Sequence, residues 1–167
     1  MKKTFRLMFA TIMSVAMVGL VSCKDKPNDD PITESTTYSV IYNGEAIAAG
    51  ATIEYHASLN EIEHDFAALD ILFENKADVE QPTAIKLEKV EGPDALNILM
   101  ICFGETCNEV PLPWTSYVVN FVPGINQDKE LKLEYAPSQI TSKTTYRLTI
   151  GKGATLSDPQ IVLININ

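Results

Sequence analysis

Glu130-Leu131-Lys132-Leu133-Glu134-Tyr135 decides the fold. Leu131, Leu133 and Tyr135 fall on one side of an extended chain, with Glu130, Lys132 and Glu134 on the other. A strand with one face in a core and the other in water needs this pattern. The alternation returns in Thr145-Tyr146-Arg147-Leu148-Thr149-Ile150, in Tyr117-Val118-Val119-Asn120-Phe121-Val122 and in Ile53-Glu54-Tyr55. One stretch, Leu59 to Leu72, could set Ile62, Phe66, Leu69 and Phe73 on a helical stripe. Its second half, Ala67 to Asn75, reads equally well as a central strand ending in a turn, and that reading agrees with its neighbours.

Turn residues divide the chain at Asn43-Gly44, Gly50, Gly92-Pro93, Gly104, Pro123-Gly124, Pro137, Gly151, Gly153 and Asp158-Pro159. Strands are expected near 37–42, 47–57, 65–75, 83–91, 96–103, 107–110, 117–122, 129–135, 144–150 and 160–166. Short strands at this spacing predict an all-β antiparallel sandwich. Residues 37–167 are enough for one such domain and too few for two.

The N-terminus has a different character. Met1 to Arg6 is basic, and Leu7 to Gly19 is apolar apart from Thr11 and Ser14. That run is too short for a spanning helix and has the layout of a secretion leader. It ends in Leu20-Val21-Ser22-Cys23, which resembles the lipobox of bacterial lipoprotein precursors. The resemblance implies that the Cys23 thiol takes a diacylglyceryl group, that residues 1–22 are removed, and that the new amino group is acylated. Each buried methylene contributes about 0.8 kcal/mol, so two or more chains give stable anchoring where one does not.

Lys24-Asp25-Lys26-Pro27-Asn28-Asp29-Asp30-Pro31 cannot bury enough apolar surface to fold. Residues 23–36 are therefore expected to be a linker, spanning at most roughly 45 Å. Lys24-Asp25, with further Asp close behind, is similar to the export signal of Bacteroides-type surface lipoproteins. That likeness implies the outer leaflet of the outer membrane; read as a plain solvated spacer, the stretch leaves the face of that membrane open. The chain carries a net charge of −9 at pH 7, and loss of Lys2, Lys3 and Arg6 would leave ten basic against 22 acidic residues. Such a body repels nucleic acid and anionic headgroups, so its membrane partner is expected to be reached through the lipid alone.

With Cys23 lipidated, Cys102 and Cys107 remain in an exported chain, where disulfides persist. The spacer Phe103-Gly104-Glu105-Thr106 suits a tight hairpin with the two cysteines facing across it. The rival, a Cys-x-x-x-x-Cys metal site, lacks a third and fourth ligand nearby. Three stretches together resemble a domain recurring in Bacteroides-type secreted proteins: Ser39 to Gly50, the Cys102–Cys107 hairpin, and the tail with Tyr135-Ala136-Pro137, Thr145-Tyr146-Arg147 and Asp158. The resemblance implies an immunoglobulin-like β-sandwich and brings no activity with it.

Catalytic signatures are missing from the sequence. It holds no Gly-rich phosphate loop, no HExxH and no G-x-S-x-G. His56 shares a strand face with Glu54, and His64 lies among Glu61, Glu63 and Asp65, an arrangement that reads as solvated surface rather than a metal site. Ser58 beside His56 does not make a triad. No enzyme, metal or cofactor is expected.

The segment from Phe103 to Trp114 joins the stapled hairpin to Pro111-Leu112-Pro113-Trp114. It is either a recognition loop on a stiff scaffold or a plug, with Trp114 tucked under the open end of the sandwich. The expected role is a non-catalytic binding or structural module on a lipid anchor, with a protein or glycan as partner. The alternative is a glycan-binding accessory lipoprotein of a polysaccharide-uptake system.

Overall fold

The computed structural model describes residues 32–56, 67–93, 98–109, 111–135 and 142–167. Cys23 and the leader, Ser58, His64 with its acidic neighbours, and Pro137 lie outside the described residues. Pro31–Asn167 form one compact unit.

Two sheets pack face to face. The first runs β2 (Glu45–Ile47), β1 (Tyr38–Tyr42), β4 (Ala67–Asn75), β11 (Leu131–Tyr135), β6 (Ile98–Phe103), β7 (Thr106–Asn108), and β10 (Gly124–Ile125) also pairs with β4. The second runs β3 (Thr52–Tyr55), β13 (Ser157–Ile166), β12 (Thr144–Lys152), β5 (Gln81–Glu91), β8 (Trp114–Thr115), and β9 (Val119–Phe121) also pairs with β5. The described pairings are antiparallel except that of β13 with β3, which is parallel. This is the antiparallel β-sandwich that the alternation predicts, in the immunoglobulin-like form that the resemblance implies.

Period-two patterning builds the core. Tyr38, Val40, Leu69, Ile71, Phe73, Ile101, Phe103, Leu131 and Leu133 enter it from the first sheet. Ile85, Leu87, Tyr146, Leu148, Ile150, Val162 and Ile164 meet them from the second. Full burial of one such side chain contributes about 1.5–3 kcal/mol. On the outer face of the first sheet, Lys132 lies opposite Asp70 and reaches its carboxylate at 3.6 Å.

Several boundaries differ from the expected ones. The strand read across 47–57 is two strands in different sheets, because Gly50 at φ +74° turns the chain between them. Only glycine adopts that conformation freely, and the Gly50 N–H donates to the Ile161 carbonyl at 2.8 Å. The strand read at 117–122 starts at Val119. Trp114–Thr115 form a short edge strand of their own, so β8 and β9 lie in succession along β5. In the same way β10 and β11 lie along β4, separated by a 3-10 turn at Gln127–Lys129.

Two buried asparagines fix the crossing from β9 to β10. Asn75 Nδ2 donates to the carbonyls of Val79 and Phe121, each at 2.9 Å. Asn126 Oδ1 accepts from Val122 N–H at 3.0 Å, and its Nδ2 donates to the Val122 and Gly124 carbonyls. Each side-chain amide thus replaces ladder bonds that a change of sheet would leave unmade.

Upstream of β1 the chain is clasped to the start of β13. The Asp158 carboxylate accepts from Thr36 N–H, Thr36 Oγ1 and Thr37 N–H at 3.0–3.2 Å. Ser35 Oγ donates to the Asp158 carbonyl at 2.9 Å, and Ser35 N–H donates to Gln160 Oε1 at 2.9 Å. Ser35 and Thr36, read from sequence as the end of the linker, are thus bonded to the sandwich.

Candidate functional site

The β6–β7 hairpin builds one rim of the sandwich. Cys102 and Cys107 stand directly opposite each other and are disulfide-bonded. Their neighbours Ile101 and Phe103 are core residues, so alternation puts Cys102 on the outer face. Gly104, at φ +58°, turns the tip, and its N–H donates to the Glu130 carbonyl at 3.0 Å. That bond ties the hairpin to the 3-10 turn, and a Cβ at position 104 would lie only 3.0 Å from the Asp128 carbonyl oxygen.

Across the rim, the interruption between β8 and β9 sets Tyr117. Ser116 N–H donates to the Ile85 carbonyl at 2.8 Å, the Ser116 hydroxyl accepts from Ile85 N–H at 3.0 Å and donates to the Tyr117 carbonyl at 2.9 Å. A side-chain oxygen therefore takes a place that a backbone carbonyl would fill in a continuous strand, and the chain bulges outward. Tyr117 stands on the bulge, 59% exposed. Its ring centroid is 6.1 Å from that of Phe103. Phe103 meets Trp114 edge-on at 6.4 Å and Phe121 in a stack at 6.5 Å, so rings run unbroken from the core to the surface.

Two hollows meet at Tyr117. The larger, with a volume of 390 Å³, lies between the hairpin tip at Glu105–Thr106 and the 127–130 turn. The smaller, of 230 Å³, opens the seam between β7 and β8 and is lined by Phe103, Thr106, Asn108 and Trp114. Thr106 and Tyr117 border both. Glu105, Asp128 and Glu130 make the larger hollow acidic. The Lys129 ammonium sits on the Asp128 carboxylate and holds its pKa below the usual aspartate value.

The expected site residues fall as follows. Phe103 and Trp114 are brought together, but as packing partners. Phe103 is 2% exposed and belongs to the core, so its ring is not presented to a ligand, and half-buried Trp114 packs against the core and closes the seam. Trp114 thus stands in an edge strand and not under the end of the sandwich. Tyr117 carries the exposed ring instead. The sequence places it as the first residue of the strand expected near 117–122, and the available signal was the polar Thr115-Ser116 pair before it. His56 is exposed at the end of β3. Among the described residues no three His, Cys, Asp or Glu side chains are grouped to hold a metal ion, and no helix is long and apolar enough to cross a membrane.

No protein-family model matches the chain, and no curated protein sequence matches it. Among solved structures, the N-terminal domain of PorA aligns with a TM-score of 0.58 at 16% identity, over 77% of this chain and 95% of that one. Domain 7 of human CEP192, an ASH/PapD-like domain, gives 0.38 at 8% identity over 85% and 92%. The CooA pilin subunit of enterotoxigenic Escherichia coli gives 0.36 at 11% over 78% and 97%. The two lower scores carry no argument, and the first bears on the fold alone: the chain is an immunoglobulin-like β-sandwich with the architecture of the N-terminal domain of PorA.

Proposed function

We propose that the protein is an exported lipoprotein, held in the outer membrane by acyl chains on Cys23, whose sandwich is a non-catalytic binding module at the cell surface or on the periplasmic face. The lipobox-like Leu20-Val21-Ser22-Cys23 after an apolar leader supports the anchor. The observation that carries the binding role is the rim. A hairpin locked by Cys102–Cys107 and tied to Glu130 borders a hollow beside exposed Tyr117. Stiff rims on a sandwich suit recognition, because little order is lost when a ligand docks. The exposed ring beside carboxylates and an amide also favours a second reading, a glycan-binding accessory lipoprotein.

The anchor is tested by Cys23→Ala. The variant should leave the membrane pellet and appear in the soluble exported fraction, since no other described feature gives strong membrane affinity. If it still pellets after a high-salt wash, the anchor reading fails.

A further inference from the structure

The larger hollow has a donor–acceptor character that selects a ligand class. Glu105, Asp128 and Glu130 offer only acceptors when ionised, whereas the Gln127 amide and the Thr106 hydroxyl both donate and accept. A ligand filling it must therefore bring hydrogen-bond donors and some acceptors. Phosphate, sulfate and carboxylate groups bring acceptors and negative charge, and a chain of net charge −9 repels them. Lys129 offers no free counter-charge, because its ammonium is taken up by Asp128. Beside these groups stands one flat, exposed ring, Tyr117, backed by Phe103 and held by the Ser116 bonds. Hydroxyls that donate and accept, set around an apolar C–H face, are what a pyranose presents. The hollow's 390 Å³ falls within the roughly 300–1,000 Å³ of small-ligand sites.

We propose that this hollow binds an uncharged sugar ring of a neutral polysaccharide, stacked on Tyr117 and hydrogen-bonded by Glu105, Thr106, Gln127 and Glu130. The proposal rests on the glycan reading above and deepens it: it gives Tyr117 the stacking role and excludes anionic glycans.

The test is native affinity electrophoresis of the full mature protein in neutral detergent, through gels containing laminarin, yeast mannan, galactomannan, dextran sulfate or chitosan. At least one neutral polysaccharide should retard the wild type. Tyr117→Ala should weaken that retardation roughly three- to tenfold, and Tyr117→Phe should keep it within about twofold. Because Tyr117 is exposed, both variants should unfold at the wild-type denaturant concentration, which circular dichroism checks. Equal retardation of wild type and Tyr117→Ala would overturn the site while leaving a glycan ligand in place. Retardation by no neutral polysaccharide would overturn the site and the glycan reading together, leaving a protein partner. Retardation by dextran sulfate alone, or by chitosan alone and abolished by salt, would overturn the neutral-sugar assignment in favour of a charged ligand.

Discussion

Asp158 has a positive φ of +48°, a conformation that aspartate tolerates better than most residues. It is held there by what its carboxylate does for Thr36 and Thr37. Burial pushes its pKa up, but the hydrogen bonds from Thr37 and Thr36 outweigh this and hold it below the ordinary 3.8. The folded state thus favours the charged form. Its contribution to stability is complete above the unfolded pKa, near 4, and is lost as pH falls through the lower folded value. Asp158→Asn keeps the tolerance for positive φ and one acceptor but removes the charge. It should cost about 1 kcal/mol at pH 7, after allowance for solvent screening, and less at pH 3. Urea unfolding of both proteins at the two pH values measures it; an equal loss at both would show that the charge plays no part. In the sequence, Asp158 stood out as half of an Asp-Pro turn signal and as one residue of the tail that carries the resemblance, neither of which names a partner. Its partner Thr36 lies 122 positions upstream, and no local pattern encodes a contact of that range. Tyr117 was hidden for a related reason. Whether it began a strand or stood on a bulge depended on Ser116 meeting Ile85, which only the folded sheet decides.

At the scale of elements, the β6–β7 hairpin combines a tight turn with a covalent staple. The ring closed by Cys102–Cys107 has a sequence separation of 5, and on the loop-entropy estimate such a ring contributes only about 2 kcal/mol. Replacing both cysteines with Ser should therefore lower stability by no more than about 2 kcal/mol and leave the sandwich folded, while loosening the wall of the hollow that ends at Glu105. Peptide mass mapping with and without reductant checks the bond in freshly exported protein, and denaturant unfolding checks its size. A double variant that cannot fold would show that the staple holds the core. The strands themselves were mostly legible, because alternation is a local signal: Leu131-Lys132-Leu133-Glu134-Tyr135 shows its inward and outward faces without reference to any partner. The breaks were less so. Gly50 was visible as a turn residue, yet alternation on both sides invited one strand, and the assignment of β2 and β3 to different sheets is a tertiary fact. Trp114–Thr115 are too short to show any period and are a strand only because Leu87 and Lys86 lie opposite them.

For the whole molecule, the proposed anchor and the acidic body set the compartment question. If Lys24-Asp25 and the following acidic residues direct export to the surface, protease added to intact cells should degrade the protein. Replacing Lys24, Asp25, Asp29 and Asp30 with Ala should then protect it. Immunoblots of treated cells read this directly, and equal sensitivity of both forms would reduce the stretch to a spacer. A body tethered at its N-terminus and bound elsewhere to something heavy also carries load. Tension arriving along the chain reaches Ser35, Thr36 and Thr37 before it reaches β1, so the Asp158 clasp takes up the first pull. Beyond it, β1 is paired on both sides, with β2 and with β4. The clasp acts as a strain relief on a mooring line: a tug is shared with β13, which lies between β3 and β12 in the second sheet, before it can work the first strand loose.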